Sequence, residues 1–204
     1  AIRAARYIAN PGCFATATLL ALAPLVKSNL SAGRIVVDAK TGSSGSGAKA
    51  AANTHHPQRA NSFYAYKPFQ HQHVPEVEQH LRSFGEPAGD LVFMTHSLPV
   101  TRGIFASCYL ESKKEITGEE LKNIYRDFYE NSFFVRLVEG SPDINWVKTT
   151  NFCDIGVHAQ GRQIAVFAAI DNLVKGAARQ PVQNMNLMHG FDEKTGLMLA
   201  GTNP

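Results

Sequence analysis

A lone thiol and a close pair of imidazoles are the side chains of this sequence best suited to chemistry. Cys13 stands in ANPGCFATATLLALAPL, directly after Pro11-Gly12 and directly before a long apolar run. If that run is a helix, the thiol sits at its N-terminus, where the helix dipole and unpaired N–H groups favour a thiolate and lower the pKa. The same N–H groups could hold the oxyanion formed when a thiolate attacks a carbonyl. The plainer reading is a small side chain packed at a helix start.

A cysteine nucleophile wants a base within reach. FQHQHVPEVEQHL offers His71 and His73, and one could act as acid/base while the other orients substrate. Their spacing also suits a metal, but no third ligand has an obvious place and no CxxC or HxxxH pairing exists, so no metal site is expected. His55, His56 and His80 read as polar surface or loop residues.

Further candidates are polar groups in loops. Arg102, in LPVTRGI, has the fork geometry that grips phosphate or carboxylate, or is a solvated turn residue. Thr41 to Gly47, TGSSGSG, could present backbone N–H groups to a phosphate or be a flexible turn. As a dinucleotide fingerprint it is weak, because no acidic residue ends a following strand. Asn172 stands at the head of the last helical stretch, where an N-cap role would suffice to explain it.

The elements that must position these residues are legible from pattern. Ala15 to Leu25 is rich in helix-forming Ala and Leu, and so apolar all round that the helix is expected to be buried, with Pro24 kinking or ending it. Strands are expected at 34–40, 90–97, 103–111, 133–138, 151–159 and 162–170, the last two a hairpin about Gln160-Gly161. Pro75 near a first helical position starts a helix over 75–81, and Thr117-Gly-Glu-Glu120 is a capping box for another running to about Asn131. His55 to Phe69 reads as irregular. A final helix spans about Asn172 to Met188, kinked or split by Pro181 and stopped near Gly190. Strands cluster without clean βαβ alternation, which predicts an α+β fold, a mostly antiparallel, mixed sheet with helices packed on one face.

Composition narrows the function. The sequence has 204 residues, 44% apolar and 18% charged, with a net charge of +3 and no basic block. Nucleic acid is not indicated, while an anionic substrate is compatible. No apolar stretch reaches transmembrane length. The cysteines, Cys13, Cys108 and Cys153, are odd in number and widely spaced, so a reducing, cytoplasmic setting without disulfides is expected. Cys108 and Cys153 lie in strand-like text and read as core residues.

ANPGCFATATLLALAPL, TGSSGSGAKA, HQHVPEV, TRGI, FCDIGV and AIDNLVKGAARQPVQNMN, in that order across nearly the whole chain, resemble the N-acetyl-γ-glutamyl-phosphate reductases of arginine biosynthesis. Nearer and farther relatives are the aminoadipyl-phosphate reductases of lysine biosynthesis and the aspartate-semialdehyde dehydrogenases. The resemblance implies NADPH-dependent, reversible reduction of an acyl phosphate to an aldehyde. Cys13 would attack the γ-acyl phosphate and carry a thioester. His73, favoured over His71, would be the acid/base, and His71 and Arg102 would bind substrate. Gly42, Ser44, Gly45, Gly47 and Asn172 would lie against NADP(H). It further implies a homodimer or homotetramer, and residues 1–170 as a catalytic and dimerisation domain resembling that of the semialdehyde dehydrogenases. Residues 171–204 would be a C-terminal helix and tail that pack on an N-terminal NADP-binding Rossmann domain. Nothing in the sequence corresponds to that domain, so the chain is expected to be a fragment that binds NADPH poorly and turns over little. The lysine-branch enzyme, a non-catalytic dimerisation module and a cysteine hydrolase remain as alternatives.

Overall fold

A computed structural model describes residues 2–87 and 89–201. Its centre is a seven-stranded mixed sheet in the order β2-β3-β1-β4-β7-β6-β5. The strands are β1 (Ser31–Thr41), β2 (Tyr64–Tyr66), β3 (Leu91–Ser97), β4 (Ile104–Ser112), β5 (Val135–Leu137), β6 (Cys153–Gln160) and β7 (Gln163–Ile170). β1 runs parallel to β3 and β5 parallel to β6; the remaining neighbours are antiparallel. The helices are α1 (Cys13–Lys27), α2 (His56–Arg59), α3 (Val74–Arg82), α4 (Gly118–Tyr129), α5 (Ile144–Val147) and α6 (Arg179–Met188). The fold is α+β, as expected.

Alternation along the strands splits the sheet into an apolar and a mixed face. One cross-sheet row reads Phe93, Val37, Cys108, Val166 and Val157 by register, and all are buried. Helix α1 lies over that face against β4 and β7, with α3 and α4 at its sides. Leu22 and Leu25 of α1 are wholly buried, each worth about 1.5–3 kcal/mol of hydrophobic stabilisation. The opposite face carries Val36, Tyr109, Phe105 and Phe167 around a polar centre in which Asp38 accepts from Lys40 at 2.6 Å and lies 2.8 Å from His96.

Some expectations are corrected by long-range partners. Pro24 does not end α1, which continues to Lys27. Lacking an N–H, Pro24 leaves the carbonyl four residues back without its helical donor. The Tyr129 hydroxyl of α4 donates to that carbonyl, Leu20 O, at 2.6 Å, and Tyr125 donates to the next, Ala21 O. The stretch read as irregular, 55–69, contains α2 and β2, the latter ordered by pairing with β3. The last helical stretch is split, but by a π-helical turn, Val174–Ala178, that precedes α6; Pro181 falls in the first turn of α6, where a missing N–H costs little. Gly190 follows the helix with φ of +73°.

Candidate active site

Cys13 is the first residue of α1. Gly12 before it is extended, and its carbonyl accepts from the Thr16 N–H at 2.8 Å and the Thr16 hydroxyl at 3.0 Å, which starts the helix without a side-chain cap. Burial pushes the Cys13 thiol above its ordinary value, against the lowering effect of the Phe14 and Cys13 backbone N–H groups, and the Glu76 charge adds to the rise. The position at a helix start thus has the expected sign of effect, but desolvation outweighs it. Near neutrality the group is a thiol and needs a base.

The imidazoles stand beside it. His73 immediately precedes α3, and a Cβ built on Gly12 would lie 2.1 Å from His73 Nε2, so only glycine lets the ring approach the backbone next to the thiol. His71 is buried against Phe14, Tyr66 and Phe93. The His73 N–H donates to His71 Nδ1 at 3.2 Å, which places the His71 proton on Nε2. Burial drives the His71 pKa down to about 4, helped by the like charges of His73 and Lys67. Burial also lowers that of His73, with Lys67 adding to the fall and Glu76 opposing it. Both rings are therefore neutral at pH 7 and able to accept a proton. His73 Nδ1 is buried and has no hydrogen-bond partner among the described residues.

Cys13, His71 and His73 line one cavity of about 450 Å³, together with Thr41, Gly45, Ser46, Tyr64, Tyr66, Lys67 and Ser97. A larger, more open depression of about 620 Å³ lies on the opposite sheet face between Arg34, Tyr109, His158 and Gln163, and it contains no thiol. Among the described residues no cluster of three His, Cys, Asp or Glu side chains could hold a metal.

The other candidates are placed differently. Arg102 does not line the cavity; its guanidinium pairs with the fully buried Asp171 at 3.0 Å. Asn172 is buried, its amide oxygen accepting from the Gly103 N–H at 2.8 Å and its amide nitrogen donating to the Ser44 hydroxyl at 3.0 Å. The helical start there is capped by Asp171, which accepts from the N–H groups of Leu173 and Val174. In the glycine-rich loop the N–H groups of Gly42, Ser43 and Ser44 donate to the carbonyls of Gly103, Val100 and Thr101, and that of Gly47 to Ser44. The loop is braced on residues 100–103 and does not offer a ring of free N–H groups; Gly45 and Ser46 form its cavity wall.

Some residues beside the thiol were missed from sequence. The Gly12 N–H donates to Glu76, whose only sequence signal was an acid in a first helical turn. Gly176, in the π-helical turn, presses on the thiol residue: a Cβ there would lie 2.6 Å from that of Cys13. One turn apart, Gln180 donates to the Thr16 hydroxyl at 3.4 Å and Asn184 to the Asn10 amide at 2.7 Å. The C-terminal helix is thus laid along the NPGC segment.

Comparison with known proteins places the chain in a family. Residues 13–172 match the family described as semialdehyde dehydrogenase, dimerisation domain. Proteins named N-acetyl-gamma-glutamyl-phosphate reductase from Methanocaldococcus jannaschii and a Geobacillus species are 46% and 47% identical over all of this chain and 60% of their own length. The Bacillus subtilis protein of that name is 45% identical, with the same coverage. The chain thus spans about 60% of the length of these curated relatives. Aspartate semialdehyde dehydrogenase II of Vibrio cholerae, solved in complex with ASA, superposes with a TM-score of 0.68 at 20% identity, over 90% of this chain and 62% of that one. That likeness shows the fold. Together, the sheet, the match across residues 13–172 and the whole-length identity to these relatives show that the chain belongs to the semialdehyde dehydrogenase dimerisation-domain family.

Proposed function

We propose that the chain forms the catalytic and dimerisation portion of an enzyme that reduces N-acetyl-γ-glutamyl phosphate to N-acetyl-glutamate 5-semialdehyde and phosphate with NADPH. The observation that carries the reading is the single cavity in which Cys13, at the start of α1, meets a neutral His73.

His73 takes the thiol proton as the sulfur attacks the acyl carbon. The carbon–sulfur bond forms, the bond to the phosphate oxygen breaks, and a thioester remains on Cys13. N–H groups at the start of α1 stabilise the oxyanion as it develops. Gly45 and Ser46 leave one cavity wall free of bulky side chains, which fits a flat nicotinamide ring. Bound NADPH supplies the hydride that the residues of this chain cannot. When the reduced adduct collapses, the carbon–sulfur bond breaks, the aldehyde leaves, and His73 returns the proton to the thiolate. Asn172 contributes by holding Ser44 in the same loop.

Residues 171–201 support a division of labour. Leu173, just before the π-helical turn, Ala177 within it, and Pro181 and Met185 on α6 are all exposed and recur every four residues. A separate nucleotide-binding unit is proposed to cover it. The aromatic face of the sheet, with exposed Tyr109 and half-buried Phe105 and Phe167, is proposed as the surface that a second copy of the chain covers. Three free cysteines suit a reducing, cytoplasmic setting.

Phosphate release tests the assignment. Mixed with N-acetyl-γ-glutamyl phosphate and no NADPH, the chain is expected to release about one phosphate per Cys13, and Cys13→Ser none. A larger release from carrier-bound aminoadipyl phosphate would assign the lysine branch instead. No release from either would leave a non-catalytic module.

A further inference from the structure

The proposed substrate brings an anion into the Cys13 cavity, and Arg102, expected to bind it, does not line that cavity and pairs through one guanidinium nitrogen with Asp171. Among the residues lining the cavity Lys67 is the sole lysine or arginine. Its side chain is exposed, and its one hydrogen bond among the described residues is a long contact of 3.4 Å to the Gln72 amide oxygen. The ammonium therefore has donors to spare.

Its backbone is independently unusual. Lys67 has φ of +46° and Phe69 has φ of +61°, on either side of Pro68. Both lie in the left-handed region that non-glycine residues avoid, and strain of this kind collects at functional sites. Burial does not explain it, since Phe69 is 68% exposed. The turn is closed by the Gln70 N–H on Lys67 O at 3.1 Å and held to β3 by the Phe69 N–H on Phe93 O at 3.3 Å. It sets Lys67 on the cavity wall between Tyr66 and His71.

We propose that Lys67 is the anion-binding residue of this cavity, taking an anionic oxygen group of the substrate, either the phosphoryl group or the carboxylate. The inference rests on the reading of Cys13 as the nucleophile. It gives the lysine a second effect. The ammonium disfavours a proton on both His71 and His73. An anion paired with it cancels that repulsion, so His73 holds the thiol proton more readily when substrate is present.

The test is protection of Cys13 from iodoacetamide, an uncharged reagent, at constant pH and ionic strength, with the labelled peptide identified by mass spectrometry. Inorganic phosphate and N-acetylglutamate are titrated separately against the wild-type chain, Lys67→Met and Lys67→Arg. A saturable slowing of labelling is expected. Phosphate as the protecting anion assigns the phosphoryl group, and N-acetylglutamate assigns the carboxylate. Lys67→Met is expected to raise the midpoint about tenfold or more, the loss of one charge-assisted hydrogen bond, with Lys67→Arg within a few-fold of wild type. An unchanged midpoint in Lys67→Met, or no protection by either anion, overturns the inference while leaving Cys13 as nucleophile intact. Failure of wild-type Cys13 to label at all overturns the reading of the site, and this inference with it.

Discussion

The backbone N–H of Gly12 donates to both oxygens of the Glu76 carboxylate, at 3.1 and 3.2 Å, and so ties the residue before the thiol to the helix that His73 precedes. The carboxylate acts on both reactive groups with the same sign, raising the pKa of His73 and of Cys13. Glu76→Gln keeps an acceptor for Gly12 and removes the charge. The pH dependence of Cys13 alkylation is expected to shift to lower pH, with faster labelling at neutrality. An unshifted profile would mean that the carboxylate is only a structural tie.

Gly176 is expected to tolerate no side chain. Gly176→Ala puts a methyl 2.6 Å from the Cys13 Cβ, so the π-helical turn or the start of α1 must move. Overpacking of this kind costs about 1–3 kcal/mol. Denaturant unfolding should show that loss, and Cys13 labelling should change by more than the loss of stability explains. Wild-type behaviour on both counts would contradict the contact.

Tyr129→Phe removes the donor to the Leu20 carbonyl that Pro24 leaves without a helical partner. Losing the partner of this part-buried carbonyl is expected to cost about 1 kcal/mol. Pro24→Ala restores a backbone donor at that position, so the same tyrosine change should cost less in that background. A double-mutant cycle in urea checks the coupling, and strict additivity would refute it.

Acid should weaken the fold through His71. Its folded pKa of about 4 lies below the ordinary 6.5, because burial favours the neutral ring. The unfolded chain then takes up the proton first, so the stabilisation is complete above about pH 6.5 and is lost as the pH falls through 4. His71→Phe should flatten the decline in unfolding free energy over that window. The same slope in the variant would place the titration elsewhere.

Local signals carried well into the structure where local physics decides. The Thr117 to Glu120 capping box is formed, with the Thr117 hydroxyl accepting from the Glu120 N–H and the Glu120 carboxylate accepting from the Thr117 N–H. The β6–β7 hairpin turns at Gly161, whose φ is +58°. Pro75 lies in the first turn of α3. What was not legible depends on partners far along the chain. Pro24 stays inside a helix, and the Leu20 carbonyl that it leaves without a donor is satisfied by Tyr129, more than a hundred residues later. β3 and β4 flank β1 rather than pairing with each other, which places the loop at Arg102 against the glycine-rich loop.

The site divides in the same way. That Cys13 works with the His71 and His73 pair was an expectation from the family resemblance, since spacing says nothing of their distance, and the three line one cavity. The state of the thiol was not legible, because a helix start argues for a low pKa and only the packed structure shows that desolvation prevails. Arg102 read as free because its partner, Asp171, lies 69 residues away and is wholly buried. Asn172 read as a cap, yet its neighbour Asp171 performs that role and Asn172 reaches back to Ser44.

The central claim is that Cys13 takes the acyl group with His73 as its base. The most direct measurement is peptide mass spectrometry of the chain quenched in acid shortly after mixing with N-acetyl-γ-glutamyl phosphate without NADPH. The account predicts an N-acetyl-glutamyl adduct on the peptide containing Cys13, absent in Cys13→Ser and formed about a hundredfold more slowly in His73→Gln, within the range of general base catalysis. An adduct on another residue, or formation at the wild-type rate in His73→Gln, would contradict it.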